Sequence, residues 1–109
     1  MIVLAFGSNL ISKFGNRFKN IDLAISHIES NKIKILNKSS YYETPSYPNK
    51  KNPKFINVVA TFTSNLEPDE VASIIISIEK KMDRKRNFKN GPRTCDIDII
   101  DFNGMITNF

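Results

Sequence analysis

Lys89-Asn90-Gly91-Pro92-Arg93-Thr94-Cys95-Asp96-Ile97-Asp98-Ile99-Ile100 is the stretch on which the reading of this chain turns. Gly91-Pro92 breaks any preceding helix, and the alternation that follows has the period of two of a strand. Asp96 and Asp98 therefore share one face of that strand, and Ile97 and Ile99 share the other. Residues two apart on a strand lie about 6.5–7 Å apart between Cα atoms, so both carboxylates reach one cation, or each holds one of two neighbouring cations. Hard oxygen ligands favour magnesium, which takes one or two carboxylates and completes its shell with water and phosphate oxygens. Arg93, just ahead of the pair, offers a planar, permanently charged fork for phosphate. Taken alone, Asp-x-Asp also fits the solvated face of a half-buried strand. The arginine-bearing turn beside it favours a metal–phosphate site.

Upstream of that stretch, Arg84-Lys85-Arg86 and the residues to Asn90 form a basic loop, which by charge alone is a solvated face. Before it, Leu66-Glu67-Pro68-Asp69-Glu70 is a helix start, with proline in the first turn and acids near the positive end of the dipole. Val71, Ile74, Ile75, Ile78 and Met82 trace the stripe by which this helix faces a core, and Glu79 lies at its edge. Residues 55–63 alternate as a strand, with Ile56, Val58, Ala60 and Phe62 on one face and Phe55 and Asn57 on the other. An aromatic ring and a carboxamide two residues apart can stack a flat heterocycle and hydrogen-bond its edge, or simply face solvent. A long polar connection with Pro45, Pro48 and Pro53 precedes this strand, and residues 34–42 alternate as another. Phe18, Ile21, Ile25 and Ile28 mark an amphipathic helix over 15–30 with one buried stripe. His27 sits beside that stripe without a second ligand and reads as structural or surface. At the N-terminus, residues 2–6 are an apolar run fit for a central strand, ended by Gly7-Ser8-Asn9-Leu10. Gly7 either lets a ligand approach the backbone or serves a simple turn. Downstream, Asp101-Phe102-Asn103-Gly104 reads as a hairpin turn, with residues 105–109 starting a return strand.

Composition sets the outer bounds. The 109 residues make one domain over 1–109, with 40% hydrophobic and 25% charged residues, as in an ordinary globular protein. A net charge of +5 suits an anionic partner, although scattered lysines supply much of it. Cys95 is the only cysteine, so no intrachain disulfide forms, and a reducing cytoplasm is the expected compartment. Beside Asp96 it reads as a small buried hydrophobe. The apolar start lacks a basic leader region and is too short for a membrane span.

The order strand, helix, strand, strand, helix, strand is the α+β, ferredoxin-like βαββαβ pattern, with both helices on one face of an antiparallel sheet. Such a fold hosts many functions. One is RNA binding on the sheet, but Phe6 and Phe55 do not form the aromatic pattern this requires, and paired aspartates repel phosphates. Another is a non-catalytic ligand-sensing domain.

Specific motifs narrow the choice. Lys-x-Gly-Pro-Arg-x-x-Asp-Ile-Asp-Ile-Ile, together with Gly7-Ser8-Asn9-Leu10 after the first strand and Tyr42, Thr44, Pro45, Pro53, Phe55 and Asn57, resembles the 6-hydroxymethyl-7,8-dihydropterin pyrophosphokinase family over nearly the whole chain. The resemblance implies transfer of diphosphate from ATP to the hydroxymethyl group of the dihydropterin, with release of AMP, in folate biosynthesis. It further implies that Gly7, Thr44, Pro45, Phe55 and Asn57 hold the pterin and that Asp96 and Asp98 hold two magnesium ions. Arg84, Arg86 and Arg93 would offset charge on the triphosphate, and Glu79, Arg84, Arg93 and Ile99 would bind the nucleotide. The implied partners are these small molecules, with no nucleic acid and no membrane, and the chain would act as a monomer. Three departures stand out: Tyr47 and Pro48 replace a smaller aliphatic residue and a glycine, the basic loop is one residue short, and Asn90 replaces a frequent tryptophan. Family members also continue past the hairpin into a segment carrying a Pro-His motif, so a truncated, weakly catalytic nucleotide- and pterin-binding domain is the alternative expectation.

Overall fold

A computed structural model describes residues 1–45, 51, 53–82 and 94–104. Its elements are β1 (Ile2–Ser8), α1 (Arg17–Glu29), β2 (Lys34–Lys38), β3 (Tyr42–Thr44), β4 (Phe55–Thr63), α2 (Pro68–Lys81) and β5 (Asp96–Phe102). The chain is α+β. Its five-stranded sheet runs β2-β4-β1-β5, with β3 pairing the other end of β4, and every pairing is antiparallel.

Local chemistry explains where the helices begin. Asn16 caps α1 by accepting the Lys19 N–H at 2.9 Å. In α2, Glu70 Oε1 takes the N–H of Glu67 at 3.2 Å, Pro68 occupies the first turn, and Lys80 and Lys81 stand at the negative end. Both helices cover one face of the sheet, α1 lying on β1, β4 and β2 and α2 on β5. Between these layers Leu4, Phe6, Val58, Phe62, Ile21, Ile28, Val71 and Ile78 are fully buried. The alternation of β4 is therefore realised as expected, and Cys95 is buried with the core. Among the described residues, the opposite face of the sheet carries no helix.

Three expectations are corrected. The strand expected over 34–42 is two strands, because the Ser39 hydroxyl takes the N–H of Val59 and so replaces a backbone partner in the ladder. Phe18 is not part of the buried stripe of α1: it is exposed and meets Tyr41 edge-on at 5.1 Å. Asn20, fully buried, takes the inward position instead. Finally, β5 extends through Phe102 with an irregularity, since Leu4 pairs with Ile99 but Val3 with Asp101. Ile100 is the extra residue, which leaves it exposed and breaks the strict alternation. The turn itself is Asn103-Gly104, with φ of 54° and 75°, a left-handed pair suited to a tight hairpin; residues 105–109 lie outside the described residues. Among the described residues, no helix is long and apolar enough to cross a membrane.

Candidate active site

The uncovered face of the sheet holds a cleft of about 180 Å³ lined by residues of four strands. Its geometry follows from register. Gly7 pairs with Asn57 on one side and with Asp96 on the other, while Asn57 also pairs with Tyr42. Directly opposed residues of antiparallel strands point to the same face. Tyr42, Asn57, Gly7 and Asp96 thus form one row across the sheet. The next row is Val59, Ala5 and Asp98.

The centre of this arrangement is β1, whose open-face residues in the cleft, Ala5 and Gly7, are small. A Cβ on Gly7 would lie 3.3 Å from Asn57 Oδ1 and 3.4 Å from Phe55 Cδ1. The missing side chain lets the carboxamide and the ring lean over β1. Asn57 is held there by donating Nδ2 to Thr44 Oγ1 at 2.9 Å and to the Tyr42 carbonyl at 3.3 Å. With Nδ2 so anchored, the amide presents Oδ1 over Gly7. One wall of the cleft is therefore aromatic and amide (Phe55, Asn57, Thr44, Tyr42), and the other is carboxylate (Asp96, Asp98). Asp96 is half-buried and Asp98 exposed.

A second set of polar residues, behind the cleft, fixes the turn after β1. Asn20 Nδ2 donates to Ser8 Oγ at 3.2 Å and to the Leu10 carbonyl at 2.8 Å, and its Oδ1 accepts from Ser12 Oγ at 2.7 Å. Asn9 Nδ2 reaches the Pro53 carbonyl at 3.2 Å, and Arg17 Nη1 the Lys54 carbonyl at 2.7 Å. Both tie the start of β4, and hence Phe55, to α1 and to the turn that follows Gly7. The sequence did not single out Asn20, Asn9 or Arg17 for the site. An asparagine one step from Ile21 in an otherwise apolar stripe was the available signal for Asn20.

Of the residues expected at a site, the fold brings Gly7, Thr44, Phe55, Asn57, Asp96 and Asp98 to one cleft. Pro45, next to Thr44, is exposed and is not among the cleft's lining residues. Glu79 and Ile99 are not among its lining residues: Glu79 is buried beneath β5, and the Ile99 side chain packs on the core face. Arg84, Arg86 and Arg93, like Tyr47, Pro48 and Asn90, lie outside the described residues. His27 is half-buried on α1, and no group of three or more His, Cys, Asp or Glu that could hold a metal occurs among the described residues. Two carboxylates spaced as Asp96 and Asp98 are nevertheless a donor set that fits magnesium, which needs only one or two and shares the rest of its shell with phosphate and water.

Comparison with known proteins gives a consistent pattern. Residues 3–107 match the family model described as 7,8-dihydro-6-hydroxymethylpterin-pyrophosphokinase. A folic acid synthesis protein of Dictyostelium discoideum is 36% identical over 106 residues, covering 97% of this chain and 15% of that protein. A mitochondrial folate synthesis bifunctional protein of Arabidopsis thaliana is 33% identical over 104 residues, covering 95% and 18%. A 2-amino-4-hydroxy-6-hydroxymethyldihydropteridine pyrophosphokinase of Helicobacter pylori is 35% identical over 107 residues, covering 96% of this chain and 64% of that one. The chain thus spans less than two thirds of each of these relatives.

Proposed function

The chain belongs to the 7,8-dihydro-6-hydroxymethylpterin-pyrophosphokinase family, and on that premise we propose that it transfers the β,γ-diphosphoryl unit of ATP to the hydroxymethyl oxygen of the dihydropterin, releasing AMP. The observation that carries this reading is the cross-strand row in which Asn57 and Asp96 flank Gly7. It supports the reading because a surface suited to a flat, hydrogen-bonding heterocycle and a pair of carboxylates are then separated only by β1, two strand spacings or about 9.5 Å apart.

A pterin has a π face and a guanidine-like edge. Phe55 supplies the stacking partner, Asn57 Oδ1 accepts from the N–H edge, and Thr44, with Pro45 next to it, closes that side. The absence of a side chain at Gly7 leaves room for the ring against the backbone. The hydroxymethyl arm would then face β5, which carries Asp96 in the same row and Asp98 in the next. These two residues would hold two magnesium ions, which when bound offset phosphate charge and orient the triphosphate. Arg84, Arg86 and Arg93 would offset charge on the triphosphate, and Glu79 and Ile99, which do not line the cleft, would serve the nucleotide through β5, the strand that carries both aspartates. Among the described residues, no side chain of the cleft stands out as a general base, so in this reading rate enhancement rests on positioning and electrostatics.

The paired carboxylates on the open face disfavour an RNA backbone there, since without a cation they repel phosphate. Residues 1–109 act in this reading as one cytoplasmic, monomeric unit with small-molecule substrates. The test is fluorescence titration of the 109-residue chain with 6-hydroxymethylpterin. Saturable binding that is lost in the Phe55→Ala, Asn57→Ala double variant is the expected result; binding indifferent to both substitutions would contradict it.

A further inference from the structure

Glu79 lies near the C-terminal end of α2 with only 6% of its surface exposed, and its Oε2 accepts the backbone N–H of Ile97 at 3.1 Å. Ile97 is the residue between Asp96 and Asp98. A carboxylate is costly to bury unless hydrogen bonds compensate it, so its position calls for a reason beyond packing. Along an antiparallel pair, N–H groups alternate between those aimed at the partner strand and those aimed away from it. The N–H that Glu79 accepts is of the second kind: it points off the outer edge of β5, the last strand of the described sheet.

We infer that Glu79 is a positioning residue that fixes the backbone between the two aspartates and thereby the spacing and tilt of both carboxylates. The inference rests on the reading of Asp96 and Asp98 as the metal–phosphate site. The segment is held from three directions. Its inner edge pairs with Ala5, Phe6 and Gly7, the Ile97 side chain is buried in the core, and Glu79 grips the outer edge. That grip falls on the short regular stretch before the irregularity at Ile100, where pairing to β1 shifts.

The test uses Glu79→Leu, which removes the acceptor at similar volume, and Glu79→Gln, which keeps an oxygen acceptor without the charge. Amide hydrogen exchange at Ile97, binding of Mn2+ with a non-hydrolysable ATP analogue, and binding of 6-hydroxymethylpterin are measured on each. In Glu79→Leu, Ile97 exchange is expected to accelerate about tenfold or more and Mn2+–nucleotide affinity to fall by about as much. Pterin affinity should stay within about twofold, and Glu79→Gln should restore the first two. An unchanged Ile97 rate in Glu79→Leu overturns the inference. So does a parallel loss of metal and pterin binding, or a Glu79→Gln variant as impaired as Glu79→Leu, which would make the charge rather than the grip important. Should Glu79→Leu not fold, the wild-type chain still decides, because an Ile97 amide exchanging as fast as an exposed one contradicts the hydrogen bond. Absence of Mn2+–nucleotide binding in the wild-type chain is a separate result: it overturns the metal-site reading and the positioning role with it.

Discussion

Gly7 of β1 pairs directly with Asp96 of β5, so the first carboxylate of the site faces a backbone that carries no side chain. On the other side of Gly7 stands Asn57. One residue of the central strand thus sets the distance between the two chemical halves of the cleft, and it does so by lacking atoms.

Substitution of Gly7 by alanine is expected to impair binding more than folding. The new Cβ would press on Asn57 Oδ1 at 3.3 Å and on the Phe55 ring at 3.4 Å, contacts that yield by small side-chain shifts. Stability should change by less than about 1 kcal/mol, whereas pterin affinity should fall about tenfold because the amide and the ring are displaced together. Calorimetric titration alongside urea denaturation separates the two effects; a variant with unchanged pterin affinity would show that Gly7 is only a packing residue.

Removing the anchor of Asn57 should have a related but smaller effect. Thr44→Val deletes the hydroxyl that accepts Asn57 Nδ2 at 2.9 Å while keeping the β-branched shape. With the amide left only the longer bonds of Nδ2 to the Tyr42 and Phe55 carbonyls, pterin binding should weaken by about 3- to 10-fold, in line with a neutral hydrogen bond of about 1 kcal/mol. Asn57→Ala should cost more than Thr44→Val, and the reverse order in a binding titration would contradict the proposed role of Oδ1.

Asn20 should matter for stability first. Its side chain is fully buried and satisfies Ser8, Leu10 and Ser12 at once. Asn20→Leu leaves those groups unmatched in the interior, at an expected cost of about 2–4 kcal/mol in urea denaturation. A loss below about 0.5 kcal/mol would mean that the turn after β1 is held by other contacts.

Alkaline stability should carry the mark of Tyr41. Its hydroxyl donates to Asp22, and that hydrogen bond, with burial and the nearby negative charge, raises its pKa from 10.0 to about 12. A phenol whose folded pKa lies above its unfolded one contributes stability that is complete below pH 10 and disappears as pH rises towards 12. The difference in unfolding free energy between the wild-type chain and Tyr41→Phe should therefore shrink from pH 9.5 to about pH 12. It should be small throughout, since the pair lies near solvent. A difference that grows with pH would contradict the sign of this linkage.

Much of this architecture was legible in the sequence because it depends on periodicity. The period of two in residues 55–63 correctly divided Ile56, Val58, Ala60 and Phe62 from Phe55 and Asn57, and the same rule put Asp96 and Asp98 on one face. Periodicity fails where a side chain competes with the backbone or a strand gains a residue. Ser39 interrupts what looked like one strand by taking the N–H of Val59, and the extra residue Ile100 breaks the alternation of β5. It also cannot tell Phe18, which lies on the surface against Tyr41, from a core residue, or show that Glu79 is buried against Ile97. Those outcomes depend on partners distant in sequence. The row through Tyr42, Asn57, Gly7 and Asp96 is of the same kind: each residue could be marked beforehand, but the register that aligns them belongs to the folded sheet.

The most direct measurement is AMP release from ATP and magnesium by the 109-residue chain, with and without 6-hydroxymethyl-7,8-dihydropterin, beside the Asp96→Ala, Asp98→Ala double variant. AMP that depends on the dihydropterin and falls at least about a hundredfold in the double variant is the predicted result. Pterin-independent AMP, or AMP undiminished by loss of both carboxylates, would contradict the site described here. If the wild-type chain releases no AMP while still binding pterin, the proposed catalysis by this chain is wrong and a binding domain of the same family is what remains.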